Sequence, residues 1–426
     1  MNIIIKNATL ISMSEKREKI EENIDIKIEG NKIVEIGKNL TTEGIEKIID
    51  ATNKVVMQGL INTHAHVPMS IFRETVDGYN LQDWLSKKIW PMEDKLTNED
   101  IYNASILSFI EMIKTGTTTI NDMYFMTEDI IKAAKQTKIR LQTSRTLMGK
   151  LDKAGIKRID ELKELLENYQ GKDELITFNI GIHGLYTSEE QYVEKCINFA
   201  QEKNMIIHMH FCENTKEVED IKNAYGKNPI QVLKQHFKGN KLILAHTVKL
   251  NNKEIEELKE LEVSISHCPV SNLKLGCGIA NITEMLKQGI NVTLGTDGQG
   301  SGSNLDLFEA MKYTALLQKG INEDATLLPA YEVLKMATIN GAKALGLEKE
   351  IGSIEEGKSA DIIILNLNNV VTNPINDLCA DIVYNAKGYN VDTTIVNGQI
   401  LMENKKMELN EIETFETCKK IINRIK

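Results

Sequence analysis

Two short runs place histidines two residues apart: H-A-H at His64 and His66, and H-M-H at His208 and His210. In an extended chain, residues i and i+2 share a face, so each run aims two imidazoles the same way. Imidazole suits zinc, iron and nickel, and a carboxylate can complete the shell. His64 and His66 together can reach one divalent ion. Zn2+ is the first expectation, with Fe2+, Ni2+ or Mn2+ as alternatives that the same donors accept. One more histidine and one aspartate would leave a position for water. In the second run His210 lies nearer the strand end and is the better ligand, with His208 deeper as support. Asp297, in G-T-D-G, can both bind an ion and accept a proton.

Such an ion lowers the pKa of bound water from about 15.7 to about 7, which makes hydrolysis feasible at neutral pH. Hydrolysis also needs a proton donor. Glu213 stands three residues after His210. Alone it reads as a loop carboxylate; beside His210 it reads as a catalytic acid. His246, in L-A-H-T-V, would orient the water or stabilise a developing oxyanion.

These residues fall in a regular pattern. Eight apolar, strand-like runs alternate with helix-like stretches such as 160–169, 188–203 and 252–261: V-V-M-Q-G-L-I-N-T, T-T-T-I-N-D-M, I-R-L-Q-T-S-R-T-L, I-T-F-N-I-G-I-H, M-I-I-H-M-H-F, K-L-I-L-A-H-T-V, V-S-I-S-H-C and N-V-T-L-G-T-D. That alternation predicts an α/β fold, a (β/α)8 TIM barrel, in which active sites occupy the C-terminal strand ends. His64 and His66 end the first run, His183 the fourth, His208 and His210 the fifth, His246 the sixth, His267 the seventh and Asp297 the eighth. A doubly wound sheet is disfavoured, because no G-x-G-x-x-G follows the first strand. The remaining histidine, His236, lies in V-L-K-Q-H-F-K and reads as a solvated helix residue outside the barrel.

Both chain ends are β-rich. A hairpin is expected around Gly30-Asn31 and another at Asn397-Gly398. Residues 1–56 and 351–406 are expected to build two halves of one small β-sandwich domain. Residues 57–350 then form the catalytic barrel, and 407–426 a C-terminal amphipathic helix. The chain has 426 residues, 42% apolar and 26% charged, so it can bury a large core. A net charge of −10 argues against nucleic acid or an anionic membrane as the main partner. No apolar run reaches 18 residues, and the six cysteines form no C-x-x-C pair. A cytoplasmic enzyme with free thiols is expected, by default a homo-oligomer.

The combination G-L-I-N-T-H-A-H, H-M-H-F-C-E, L-A-H-T-V and G-T-D-G, in that order, resembles the amidohydrolase superfamily across nearly the whole chain. Two-metal members carry a lysine on strand four; Ile176 to His183 has none, which is similar to the single-metal deaminase branch. H-A-H-V-P-M-S-I-F-R and W-P-M-E most resemble 5-methylthioadenosine/S-adenosylhomocysteine deaminases. The resemblance implies His64, His66, His210 and Asp297 as metal ligands and Glu213, His246 and Asp297 as catalytic residues. The substrate would be a small purine nucleoside, held by Glu93 at the ribose, Arg145 at the 5′ substituent, and His183 and Ser301 in the same pocket, with Glu213 and Asp297 at the base. A second arginine is expected in the loop after strand three to hold a homocysteine carboxylate, and that region, A-G-I-K-R-I-D, offers Lys157 or Arg158. The competing readings are the same chemistry on a free base or triazine, and a non-catalytic scaffold. Scaffolds need not keep a complete ligand set, and this chain does.

Overall fold

The computed structural model describes residues 1–75 and 77–426. Five strands come first: β1 (Asn2–Ile11), β2 (Glu21–Glu29), β3 (Lys32–Gly37), β4 (Lys47–Asp50) and β5 (Val55–Gln58). The barrel strands follow: β6 (Leu60–Ala65), β7 (Thr117–Tyr124), β8 (Arg140–Arg145), β9 (Ile176–Phe178), β10 (Ile180–Ile182), β11 (Ile207–Phe211), β12 (Lys241–His246), β13 (Glu262–His267) and β14 (Asn291–Leu294). Three more close the chain's β content: β15 (Ile362–Leu365), β16 (Val391–Val396) and β17 (Gln399–Met402).

The barrel strands pair in parallel, in the orders β6-β7-β8-β9 and β10-β11-β12-β13-β14. Two of the expected runs divide. V-V-M-Q-G-L-I-N-T breaks at Gly59, where a Cβ would lie 2.2 Å from the Thr118 side chain, so β5 leaves for the outer sheet and β6 enters the barrel. The fourth run breaks at Asn179: β9 pairs with β8, and β10 with β11. The ring closes between β6 and β14, where Asp297 N–H donates to the His64 carbonyl at 3.0 Å and the Thr63 hydroxyl to that of Leu294 at 2.9 Å.

In strands covered on both faces most polar side chains find partners inside the protein. Thr63 does so with Ser266 and Thr293 at 2.7 and 2.6 Å, and Asn179 donates to Asn121 at 2.5 Å. These contacts cross the interior between strands and hold the barrel floor rigid beneath the rim.

Both chain ends share one eight-stranded sheet, ordered β17-β16-β15-β5-β1-β2-β3 with β4 on β1, around its own core of Ile3, Ile5, Ile26, Ile28, Ile362 and Ile364. Both expected hairpins form. Gly30 has φ +59°, and Asn397 and Gly398 have +49° and +72°, the left-handed pair a tight two-residue turn requires. The C-terminal helix spans Glu411–Ile425. Arg140 on β8 joins barrel to sheet, its Nε and Nη2 donating to the two Asp361 carboxylate oxygens at 2.8 and 3.1 Å, with both side chains buried. Among the described residues, no helix is long and apolar enough to cross a membrane.

Candidate active site

Three strand ends adopt left-handed backbone at non-glycine residues: Cys212 (φ +51°) after β11, His246 (+71°) ending β12 and Asp297 (+60°) after β14. Such conformations cost about 1–3 kcal/mol each and persist where surrounding structure enforces them. Here they lie at one rim, alongside the expected histidines.

His66 Nδ1–H donates to the Met123 carbonyl and His210 Nδ1–H to the His183 carbonyl, each at 2.6 Å. A carbonyl only accepts, so each neutral ring presents an unprotonated Nε2 to the centre. Those Nε2 atoms are 3.2 Å apart. Asp297 Oδ1 lies 3.3 Å from His66 Nε2 and 3.7 Å from His64 Nε2. Four donors at about 2.0–2.2 Å around a tetrahedral ion would be about 3.3–3.6 Å from one another. His64 Nε2 is buried without a hydrogen-bond partner. Burial, and then the neighbouring rings, hold His64 and His210 well below the usual imidazole pKa, so their lone pairs stay free. Converging unprotonated nitrogens and a carboxylate therefore fit a divalent cation.

Supporting contacts fix each group. His64 Nδ1 meets His208 Nε2 at 2.8 Å, which places His208 beneath His64 as expected. Asp297 accepts from Ser271 Oγ at 2.6 Å and from Gly298 N–H at 2.7 Å. Burial raises its pKa, but its polar neighbours, with the Ser271 hydroxyl donating to it, bring the carboxyl below its usual value. His246 Nδ1 bonds Asn272 Oδ1 at 2.8 Å; the amide oxygen only accepts, so His246 carries its proton there and leaves a buried, unpartnered Nε2. Glu213 is buried, with its backbone N–H held by Glu217 at 2.7 Å. Burial, followed by the charge of Asp297, raises its carboxyl pKa to about 8, so it is protonated at neutral pH. Cys277 Sγ lies 3.6 Å from Glu213 Oε1. His267 is buried at the end of β13, and its ring makes no hydrogen bond.

A small inner chamber is lined by His66, His183, His210, Glu213, His246, Asp297 and Ser301. An outer cavity of about 590 Å³ shares His66, Met69, Leu85 and His183 with it and opens past Glu93, Arg145 and Arg158. Nine of the ten expected site residues thus line one continuous space, with His64 buried behind it against His66 and Asp297. Ser301 sits in a short helical turn, Gln299–Gly302, and bonds the Gly298 carbonyl at 3.1 Å. His183 is held neutral by burial, its pKa lowered to about 4. Its Nδ1 faces Thr187 Oγ1 at 3.1 Å; that hydroxyl donates to the Gly184 carbonyl, so Nδ1 is the donor and Nε2 an acceptor.

Of the two cations after strand three, Arg158 lines the cavity, whereas Lys157 is 77% exposed and reaches only toward Glu161. His236 is not solvated. Its side chain is only 9% exposed, because the ring packs between Glu190 and Glu194 at 3.0 and 3.4 Å. Sequence reasoning missed Tyr124, Asn272 and Ser271. Tyr124 ends β7 at the same rim and donates to Glu93 Oε1, a position the strand pattern alone could have marked.

A parallel barrel with converging imidazoles, an aspartate and a buried protonated glutamate at its C-terminal rim defines a metal-dependent hydrolase. The chain belongs to the Amidohydrolase family, whose model matches residues 55–401. It is 42% identical to the 5-methylthioadenosine/S-adenosylhomocysteine deaminase of Caldanaerobacter subterraneus subsp. tengcongensis, covering 100% of this chain and 99% of that protein. It is 41% identical to the 5′-deoxyadenosine deaminase of Methanobrevibacter smithii, covering 100% and 98%. Its fold is similar to a crystal structure of an adenosine deaminase from Xanthomonas campestris with bound zinc, at a TM-score of 0.95, 27% identity and coverage of 99% and 98%.

Proposed function

We propose that the protein hydrolytically deaminates a 6-aminopurine nucleoside of the 5′-methylthioadenosine, S-adenosylhomocysteine or 5′-deoxyadenosine type, releasing ammonia and the inosine-type product. The observation that carries this reading is the continuity of the two spaces. A buried protonated carboxyl and converging imidazoles occupy the inner one, and the outer one, of about 590 Å³, is lined by Glu93 and leaves room for a ribose and its 5′ substituent. The full-length similarity to nucleoside deaminases supports it.

His64, His66, His210 and Asp297 would hold one divalent cation, zinc being favoured by the three-imidazole, one-carboxylate donor set and by the zinc-bearing neighbour. When bound, the cation would acidify a water molecule and so make a nucleophile available at neutral pH. Asp297, ionised and fixed by Ser271, accepts the proton from the water that adds to C6 of the purine. His246 Nε2, an acceptor because Nδ1 donates to Asn272, orients that water; the tautomer favours this over an oxyanion-donor role. Glu213 gives its proton to N1, where negative charge builds during addition. Asp297 then passes its proton to the departing amine, the C6–N bond breaks, the C6 hydroxyl becomes the carbonyl as its proton returns to Glu213, and ammonia leaves. Glu93, positioned by Tyr124, binds the ribose hydroxyls, while His183 Nε2 and Ser301 contact the nucleoside in the same pocket. The protein's six unpaired cysteines are compatible with the cytoplasmic setting proposed for it.

A screen of adenosine, 5′-deoxyadenosine, 5′-methylthioadenosine, S-adenosylhomocysteine, guanine and a chlorotriazine tests the reading. Turnover of the adenine nucleosides, with kcat/KM falling at least about tenfold in Glu93→Gln, is expected. Turnover of only guanine or the triazine, unaffected by Glu93→Gln, would replace it with a free-base or triazine substrate.

A further inference from the structure

The outer cavity carries two guanidinium groups, but they are not equivalent. Arg145 is anchored on three sides: Nε donates to Glu161 Oε2 at 2.7 Å, Nη1 donates to the Thr146 carbonyl at 2.9 Å, and the guanidinium lies 5.3 Å over the Phe125 ring. The Arg145 side chain is 15% exposed and that of Glu161 36%, so the ion pair stands at the edge of the cavity with its carboxylate side open to water. Arg158 donates Nη1 to the Met148 carbonyl at 3.1 Å, and among the described residues no carboxylate pairs with it. Glu93 and Asp94 stand on the same wall. Two cations thus share the wall with two carboxyl groups, Glu161 joins them only through Arg145, and Trp90, Phe125, Met126 and Met148 supply apolar surface beside them.

We propose that Glu161, on the helix Lys153–Tyr169, is a specificity-determining residue that biases the enzyme toward nucleosides with neutral 5′ substituents over those ending in a carboxylate. This rests on the nucleoside deaminase reading above. A carboxylate is best recognised by a free guanidinium edge giving two parallel hydrogen bonds. Glu161 occupies Arg145 Nε, which spoils one such edge, and its own charge repels a second carboxylate brought to the same guanidinium. A methyl or methylthio group needs neither edge and packs on the methionine and aromatic side chains. Arg158 remains to admit a carboxylate-bearing tail, so the bias is a preference and not an exclusion.

The experiment compares kcat/KM for 5′-methylthioadenosine and S-adenosylhomocysteine in the metal-loaded wild type, Glu161→Gln and Glu161→Ala. The glutamine keeps an acceptor for Arg145 Nε and removes the charge, so Arg145 stays in place. The ratio of methylthioadenosine to S-adenosylhomocysteine efficiency is expected to fall about tenfold in Glu161→Gln, through a lower KM for S-adenosylhomocysteine with its kcat little changed. A ratio unmoved in both variants, with far-UV circular dichroism like wild type, would overturn the role of Glu161 while leaving the deaminase reading intact. A wild type that deaminates neither nucleoside would overturn the underlying reading instead.

Discussion

The Nε2 atoms of His66 and His210 face each other at 3.2 Å, each ring having committed its Nδ1 proton to a backbone carbonyl. Two lone pairs at that distance repel unless a cation lies between them, so metal and rim are expected to stabilise each other. Chelation should therefore abolish deamination and lower the Tm. Restoring Zn2+ to 100–1,000 times its Kd should return about 3–4 kcal/mol of stability. Calorimetry with and without metal checks this; an unchanged Tm would contradict it.

Glu213 supplies the second expectation. Burial raises its pKa to about 8, so the proton-donating form predominates below that pH and is lost above it. The kcat should fall as pH rises through about 8, giving the alkaline limb of the profile. Glu213→Gln should lower kcat by about 10²–10⁴-fold with metal content unchanged, as measured by steady-state kinetics and metal analysis.

Gly295 sits where β14 presses on β6. A Cβ there would lie 2.7 Å from Ser266 Oγ and 2.9 Å from His64 Cβ. Gly295→Ala must push His64 and the following Asp297 apart. Metal affinity is expected to drop about 10–100-fold, as seen when groups that orient ligands are lost. A competitive chelator titration reads it directly.

The Arg140–Asp361 pair binds barrel to outer sheet with both charges buried. Asp361→Ala leaves the guanidinium without its partner and also strips acceptors from Ser359 Oγ and Asn397 N–H. A loss of about 3–5 kcal/mol is expected, seen as a lower denaturation midpoint. Removing the exposed Asp160–Lys163 pair should barely move the midpoint.

The ligand-bearing strand ends were legible because their chemistry is local: i, i+2 histidines on a strand share a face, and barrel strands end at one rim. The hairpins were legible because Asn and Gly tolerate positive φ. The division at Gly59 was not, since it depends on Thr118 occupying the space a side chain would need. Nor was the environment of His236, which comes from Glu190 and Glu194 on another helix. The choice between Lys157 and Arg158 required knowing which face of their helix meets the cavity. Glu161 carried no signal, because its meaning lies wholly in its pairing with Arg145.

Hydrolytic deamination is read directly by incubating 5′-methylthioadenosine or 5′-deoxyadenosine with metal-loaded enzyme in 18O-labelled water. One ammonia per nucleoside consumed and an inosine-type product carrying one solvent oxygen at C6 are expected. Intact nucleoside after prolonged incubation, or ammonia release without solvent oxygen in the product, would contradict hydrolytic deamination.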